Sequence, residues 1–144
     1  MNNKHLQQRA EAVGHVIGER DKLAKHLGVS LEEIRPGYAR CSMVVRADMS
    51  NAAAIGHGGA TFTLADIAFA YASNSHDRTA LVTNCTITFT GPAEIGDTLS
   101  AVAEEVSLRS RNGVCDVTVS NSKGEDIALF RGHSRQINAQ PTDG

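Results

Sequence analysis

The stretch HGGATFTLAD, residues 57–66, is the most informative part of this sequence. After its two glycines an apolar, alanine-rich segment continues to about Asn74, which predicts a helix that begins at the glycines. The glycines leave the first backbone N–H groups of that helix open to a closely approaching ligand. One carboxylate, Asp66, lies inside the apolar run, where an acid is rarely buried without a partner or a function. An electropositive helix end and an unexplained acid together indicate chemistry on a polarised carbonyl.

Length and composition predict one domain and exclude several classes of protein. The 144 residues suffice for a modest core, so we expect a single domain over residues 1–137 and a polar, disordered tail over 138–144. The net charge is −2 and no basic run occurs, which argues against nucleic-acid binding. No apolar stretch is long enough to span a bilayer, and the N-terminus lacks the apolar core of a signal peptide. We therefore expect a cytoplasmic protein that binds neither nucleic acid nor membrane.

The cysteines and histidines predict neither a disulfide framework nor a metal site. The three cysteines are odd in number and lie in apolar, strand-like contexts, which predicts buried thiols in a reducing compartment: Cys41, Cys85 and Cys115. There is no CxxC motif, and the six histidines show no ligand spacing. We expect no bound metal.

Hydrophobic periodicity predicts a helix, two strands, the long helix and then four strands. The first helix covers residues 4–27 with a break near Gly18–Asp21, where Asp21 can cap a second piece, and Gly28 ends it. The strands are expected over 29–34, 39–46, 81–90, 98–108, through Cys115 to Val119, and over 125–137. One strand face is predicted to combine Leu81, Thr83, Cys85, Ile87 and Phe89. Asn112-Gly113 is a strong hairpin signal, and such short connections predict an antiparallel sheet in an α+β fold.

At this point the chain resembles the hot-dog fold acyl-CoA thioesterases, and within them the phenylacetate-degradation (PaaI) branch. The residues responsible are Asp48–Asn51, His57–Gly59, Phe62–Ser75, Cys85–Ile87, Pro92-Ala93, Gly96-Asp97, Gly113-Val114 and Ala128–Gly132. The resemblance implies a curved antiparallel sheet wrapped around the long helix, and dimers that often pair into tetramers. It also implies hydrolysis of acyl-CoA thioesters, with arylacetyl groups such as phenylacetyl or its ring-hydroxylated forms favoured. No cofactor is expected.

The resemblance implies three principal site residues. Asp66 corresponds to the family's catalytic acid, the Gly58 backbone N–H to its oxyanion donor, and Asn51 to its loop asparagine. Thioester hydrolysis places negative charge on the carbonyl oxygen, and fixed N–H groups at a helix start stabilise that charge. Asp66 would either take a proton from water or attack the carbonyl itself, and the sequence leaves both routes open.

Further site residues are expected around these three. His57 either contacts the thioester or braces the helix start, and Gly59 lies beside the substrate. A polar side chain that places the water falls at Thr83, although the family position can also align with Val82. Basic residues that could contact the CoA phosphates alternate along the last strand or lie near hairpin turns: Arg109, Arg111, Lys123, Arg131, His133 and Arg135.

Helix geometry predicts that the site is shared between two chains. Asp66 follows Gly58 by eight residues, which is about 12 Å along a continuous helix. A base or nucleophile must lie within roughly 3 Å of its target. Asp66 therefore cannot reach a carbonyl held by the Gly58 amide of its own chain, and two helices must lie antiparallel across a two-fold axis.

Two other functions compete with this one. A dehydratase or hydratase of acyl thioesters on the same fold would convert an enoyl-CoA without releasing free thiol. A non-catalytic acyl-CoA-binding protein would leave the ester intact, and Asp66 would then be dispensable.

Overall fold

A long helix and one antiparallel sheet dominate residues 2–143, the part of the chain that the computed structural model describes. The helices are α1 (Asn3–Arg20), α2 (Lys22–Leu27) and α3 (Gly58–Asn74). The strands are β1 (Ser30–Arg35), β2 (Tyr38–Val44), β3 (Ala80–Phe89), β4 (Thr98–Arg109), β5 (Asn112–Ser120) and β6 (Asp126–Gln136). They form one sheet in the order β1-β2-β4-β5-β6-β3, wrapped around α3, which confirms the predicted α+β hot-dog fold. None of the helices within this part of the chain is long and apolar enough to cross a membrane.

The predicted break in the N-terminal helical segment is confirmed at Asp21. Its carboxylate accepts a hydrogen bond from the Ala24 N–H at 3.0 Å, so the residue that ends α1 also caps α2. Gly28 ends α2 in the left-handed conformation, with φ 71°. Gly14 and Gly18 lie within α1. Because they have no side chains, α1 can pack closely against β1 and α3 at these two positions. A Cβ at Gly14 would lie 2.9 Å from Leu31.

The core lies between α3 and the inner face of the sheet. Several α3 side chains are fully buried there, among them Leu64, Ala65, Ala68, Phe69 and Ala72. The Phe69 ring packs at 5.8 Å from the Phe130 ring, measured between centroids. A Cβ at Gly132 of β6 would lie 2.6 Å from the Phe69 ring. The bare backbone at Gly132 thus makes room for the largest fully buried side chain of α3.

A β-bulge in β3 alters the predicted strand face. The pairing of β3 with β6 shifts register between Val82 and Asn84, so Thr83 is the extra residue of the bulge. Val82 lies opposite Ser134 and shares the inner face with Cys85, whereas Leu81 lies opposite Arg135 on the outer face. The prediction that Leu81 and Thr83 continue the face of Cys85 is therefore wrong. Strict alternation holds only on the Cys85 side of the bulge.

The β4–β5 hairpin is present, but its turn lies earlier than predicted. Arg109 pairs with Asn112, so the two turn residues are Ser110 and Arg111, with φ 55° at Ser110. Gly113 is part of β5, where a Cβ would lie 2.8 Å from the Ser134 hydroxyl oxygen of the neighbouring strand. The glycine serves the close approach of two strands and not the turn.

The C-terminal residues 138–143 lie against the loop that follows α3, in contrast to the disorder predicted for this tail. The Thr79 N–H donates to the Ala139 carbonyl at 2.9 Å, and the Thr142 hydroxyl donates to the Asp77 carboxylate at 2.8 Å. These bonds to residues more than fifty positions earlier explain why the local polarity of the tail did not predict its placement.

The cysteines are free, and two of the three are buried as predicted. Cys41 and Cys115 face the core, and burial raises the pKa of each thiol to about 12. Cys85 on β3 is only partly buried, contrary to the prediction, because β3 is an edge strand of the sheet.

Candidate active site

His57 caps α3. Its ring nitrogen Nδ1 accepts a hydrogen bond from the Gly59 N–H at 2.9 Å, and its own N–H donates to the Met49 carbonyl at 2.7 Å. A ring nitrogen that accepts a hydrogen bond bears no proton, so this contact requires the tautomer with a bare Nδ1. Of the two roles expected for His57, the geometry supports bracing of the helix start. The Gly59 amide is consequently engaged.

The Gly58 N–H is the donor that remains open at this helix start. Within residues 2–143 no acceptor meets it, and it lies where the helix dipole is positive. The amide borders a cavity of about 220 Å³ that Asn51 and Phe89 also line. A Cβ at Gly58 would lie 3.1 Å from the Phe89 ring. The absence of a side chain at Gly58 therefore leaves room for the Phe89 ring beside this helix start.

Asn51 holds the loop that precedes α3. Its side-chain oxygen accepts from the Ala53 N–H at 2.9 Å and from the Ile55 N–H at 3.3 Å. Its backbone N–H donates to the Ile55 carbonyl at 2.8 Å. The side-chain nitrogen of Asn51 has no acceptor in the described part of the chain, and the residue borders the same cavity as Gly58. Asn51 thus shapes the loop and leaves one amide donor available beside Gly58.

Asp66 lies on the third turn of α3 and is half-buried. Its carboxylate makes no hydrogen bond or ion pair with any other described residue. Burial raises the pKa of the Asp66 carboxyl above its ordinary value, and the negative charge of Asp21 raises it further. The pKa of the neighbouring Cys85 thiol is also raised, first by burial and then by the Asp66 charge. Asp66 is therefore an unpartnered acid whose environment favours proton uptake.

The continuous helix separates the two principal groups. α3 runs without interruption from Gly58 to Asn74, so Gly58 and Asp66 of one chain are about 12 Å apart along its axis. Small or polar residues form a partly exposed stripe along α3, which includes Asp66 and continues past it: Gly59, Thr63, Asp66 and Ala70. The condition for the predicted sharing of the site, an unbroken helix, is met.

Thr83 is the bulge residue of β3 and is exposed. Its position in the bulge leaves it without a pairing partner on β6, while Val82 faces the inner side. The bulge thus lies at the position where the resemblance left Val82 and Thr83 as alternatives for the polar residue. No described contact joins Thr83 to Gly58 or Asp66 of the same chain.

The basic residues do not gather at Gly58. Arg131, His133 and Arg135 share the outer face of β6, as predicted, and this face points away from α3. The Arg131 guanidinium donates two hydrogen bonds to the Asp116 carboxylate, at 2.6 and 2.8 Å. These bonds hold the pKa of the Asp116 carboxyl below its usual range.

The three basic residues at hairpin turns are also separated. Arg109 and Arg111 lie at one end of β5, and Lys123 lies beyond the other end, about 27 Å away along the strand. These residues therefore lie at hairpin turns, as expected, but at opposite ends of β5. Within residues 2–143 there is also no group of three His, Cys, Asp or Glu side chains placed to hold a metal ion.

Three neighbours of the site were not predicted from the sequence. Phe89 covers Gly58, Cys85 lies near Asp66, and Asp21 influences the charge of Asp66. Each lies at least nineteen positions from the group it approaches, and no local pattern signals such a contact.

Several proteins of known name or structure are similar to this chain in sequence and fold. The family model described as "Thioesterase superfamily" matches residues 55–128. "Acyl-coenzyme A thioesterase PaaI" of Escherichia coli is 39% identical over 132 residues, which cover 92% of this chain and 94% of that protein. A "Putative esterase" of Archaeoglobus fulgidus is 40% identical over 131 residues, covering 91% and 85%. The structure of the E. coli PaaI protein matches with a TM-score of 0.92 over 94% of this chain and 98% of that one, at 39% identity. The chain therefore belongs to the thioesterase superfamily.

Proposed function

We propose that this protein hydrolyses acyl-CoA thioesters to a free acid and CoA, with phenylacetyl or ring-hydroxylated arylacetyl groups as its favoured substrates. The main support is the uninterrupted α3, which has an open Gly58 N–H at its start and the unpartnered Asp66 two turns later. The E. coli relative is named an acyl-coenzyme A thioesterase, and its structure is described as that of a protein from the phenylacetic acid degradation operon.

In the proposed reaction the Gly58 N–H donates to the thioester carbonyl oxygen. That oxygen gains negative charge as the carbonyl carbon is attacked, so a fixed donor stabilises the transition state more than the substrate. The helix dipole of α3 adds to the effect because the amide lies at its N-terminus. Asn51 lies beside the same cavity with a free amide donor and is placed to help orient the carbonyl or the water.

Asp66 supplies the acid–base or nucleophilic step in its carboxylate form. As a base it takes a proton from water while the water oxygen bonds to the carbonyl carbon, and the CoA thiolate then leaves. As a nucleophile it forms an anhydride with the acyl group, which water hydrolyses to regenerate the carboxylate. Neither route calls for a resident cofactor or metal.

A second copy of the chain completes each site in this proposal. The 12 Å between Gly58 and Asp66 of one chain requires that the acid come from a partner helix lying antiparallel. β3 is an edge strand with unpaired backbone groups, and it exposes about half of Leu81, Val82 and Phe89, at 52%, 49% and 51%. Such an edge favours pairing with a second copy across a two-fold axis. A homodimer then holds two equivalent sites, and two dimers pair into a tetramer.

Thiol release from a panel of acyl-CoAs tests the proposed function. Acetyl, straight-chain, benzoyl, phenylacetyl and hydroxyphenylacetyl esters are compared by the rate at which free CoA thiol appears. We expect release with every productive substrate and the highest kcat/KM with an arylacetyl ester. A hydratase would instead hydrate an enoyl-CoA without releasing thiol. A binding protein would lower the free ester concentration and leave the ester intact, and either result would contradict the proposal.

A further inference from the structure

We propose that a cavity beside Asp66 receives the acyl group of the substrate and that residues 138–143 form its outer wall. This inference rests on the proposed thioesterase function and identifies the acyl subsite of that enzyme. The cavity has a volume of about 420 Å³ and lies between the end of α1, the second half of α3 and the C-terminal residues. Its volume falls within the range of small-molecule sites.

The position of the cavity along α3 connects it to Asp66. Ala70 and Asn74, which line it, follow Asp66 by one and two turns on the same helix face. The cavity therefore begins about 6 Å along the axis from the acid. Asp21, which also lines it, is near enough for its charge to influence the Asp66 carboxyl.

In the proposed dimer the partner's α3 does not extend over this part of the helix. When the partner's helix lies antiparallel with its N-terminus at Asp66, it covers the stretch from Gly58 to Asp66 and stops there. The thioester held at Asp66 has two arms, and the long CoA arm with its nucleotide must lead out to solvent. The shorter acyl arm is the one that fits a cavity of limited volume directly beyond the acid.

The lining of the cavity favours a ring-sized apolar group with a polar tip. Val16, Ile17, Ala70 and Pro141 provide apolar surface, whose burial stabilises an aryl ring. Thr79 also borders the cavity, and its hydroxyl has no hydrogen-bond partner among the described residues. It is placed to bond a hydroxyl group on the ring.

The outer wall depends on Asp77. This side chain is only 7% exposed, and both of its carboxylate oxygens accept from the Thr142 hydroxyl at 2.8 Å. The Thr142 N–H and the Gln140 side-chain amide also donate to it, each at 3.3 Å. A buried carboxylate is costly unless such bonds are made, so Asp77 holds the C-terminal residues in place. Gln140 and Pro141, between these contacts, then close the outer side of the cavity.

Filling the cavity tests the subsite. Ala70→Leu places a larger side chain in it, and we expect the ratio of kcat/KM for phenylacetyl-CoA over acetyl-CoA to fall roughly tenfold or more. Thr79→Val is expected to lower the ratio for 4-hydroxyphenylacetyl-CoA over phenylacetyl-CoA about threefold. Thr118→Val, on the outer face of β5, is the matched control and is expected to leave both ratios unchanged.

Releasing the wall tests the role of the C-terminal residues. Thr142→Val removes the hydroxyl that binds Asp77 in a chain of full length, and we expect the phenylacetyl preference to fall. If Ala70→Leu and Thr142→Val both change the two esters equally, the cavity is not the acyl subsite. This outcome differs from failure of the proposed function, in which the unaltered protein releases thiol from no acyl-CoA.

Discussion

At Gly58 the backbone N–H can be removed without removing the helix. Proline is well tolerated at the first position of a helix, and His57 has the extended conformation, φ −64° and ψ 133°, that suits a residue before proline. Gly58→Pro deletes the N–H, whereas Gly58→Ala keeps it and introduces a similar contact with Phe89. We expect kcat for Gly58→Pro to fall about 10²–10³ below that of Gly58→Ala. Equal rates in the two variants would show that the amide is not the oxyanion donor.

Asp66→Asn tests the acid while keeping the size of the side chain. Because the carboxylate has no hydrogen-bond partner among the described residues, we expect the melting temperature to stay close to that of the unaltered protein. The turnover rate is expected to fall roughly 10²–10⁴ because asparagine can neither accept the proton from water nor form the anhydride. The measurements are thiol release and thermal unfolding on the same sample. Turnover at the original rate would remove Asp66 from the mechanism.

Asp21 offers a test of the charge around Asp66. In the proposed mechanism the Asp66 carboxylate is the active form, so kcat/KM is expected to decline as pH falls through the Asp66 pKa, which burial and then Asp21 raise. Asp21→Asn removes that charge and keeps a side-chain oxygen to cap α2. We expect the acidic limb of the pH profile to move to lower pH. Glu11→Gln, an exposed acid on α1, is the control and leaves the limb in place, and a limb that moves equally in both variants would contradict the assignment.

Among the elements, the end of α3 is joined to β4 by a titratable pair. His76 Nε2 lies 3.1 Å from both carboxylate oxygens of Glu105, and the two side chains are 28% and 16% exposed. The hydrogen bond to Glu105 raises the pKa of His76 above its ordinary value of 6.5, although burial works in the opposite direction. A raised pKa means that the folded state favours the protonated ring. The resulting stabilisation is complete below the ordinary value and is lost as pH rises through the folded one.

Glu105→Gln tests this pH dependence. The amide oxygen still accepts a hydrogen bond from His76, but the negative charge is gone. Thermal unfolding is measured for both proteins between about pH 5 and 8. We expect the advantage of the unaltered protein in melting temperature to be largest at the acidic end and to shrink with increasing pH. An advantage that grows with pH would contradict the assigned direction.

Element boundaries set by neighbouring residues were predictable, and those set by distant strands were not. Asp21 and Gly28 act on groups within a few residues, so local capping rules located the ends of α1 and α2. The bulge at Thr83 depends on the pairing of β3 with β6, fifty residues later. Likewise the local pattern predicts Gly113 in a turn, because its neighbour Ser134 is remote in the sequence. Period-two alternation identifies a strand but does not determine which residues of another strand it pairs with.

At the scale of the whole molecule, the site residues too were predictable only where they are neighbours in the sequence. The glycines at the start of α3 and Asp66 belong to one contiguous motif, so the sequence was sufficient to single them out. The Phe89 ring over Gly58 and the C-terminal residues beside Ala70 come from other parts of the chain and meet the motif only through folding. The acid and the amide follow from local sequence, whereas the cavity walls beside them, which we propose to contact the substrate, follow from topology.

A shared site predicts that two inactive chains restore activity when they are mixed. In a hybrid of Asp66→Asn and Gly58→Pro chains, one site has the intact Gly58 of the first and the intact Asp66 of the second, and the other site has neither. Random re-pairing after reversible dissociation therefore restores about a quarter of the original sites.

The double variant, Asp66→Asn with Gly58→Pro, is the control for this mixing experiment. Each site of its hybrid with the unaltered chain lacks one group, so mixing is expected to lower activity below that of the unaltered chain alone. A site built within a single chain predicts the opposite pattern. Mixing the two single variants would then restore nothing, and the double variant would leave the unaltered chains fully active. Thiol release and native mass spectrometry of the mixtures separate the two cases, because Gly58 and Asp66 lie at fixed positions about 12 Å apart on one rigid helix.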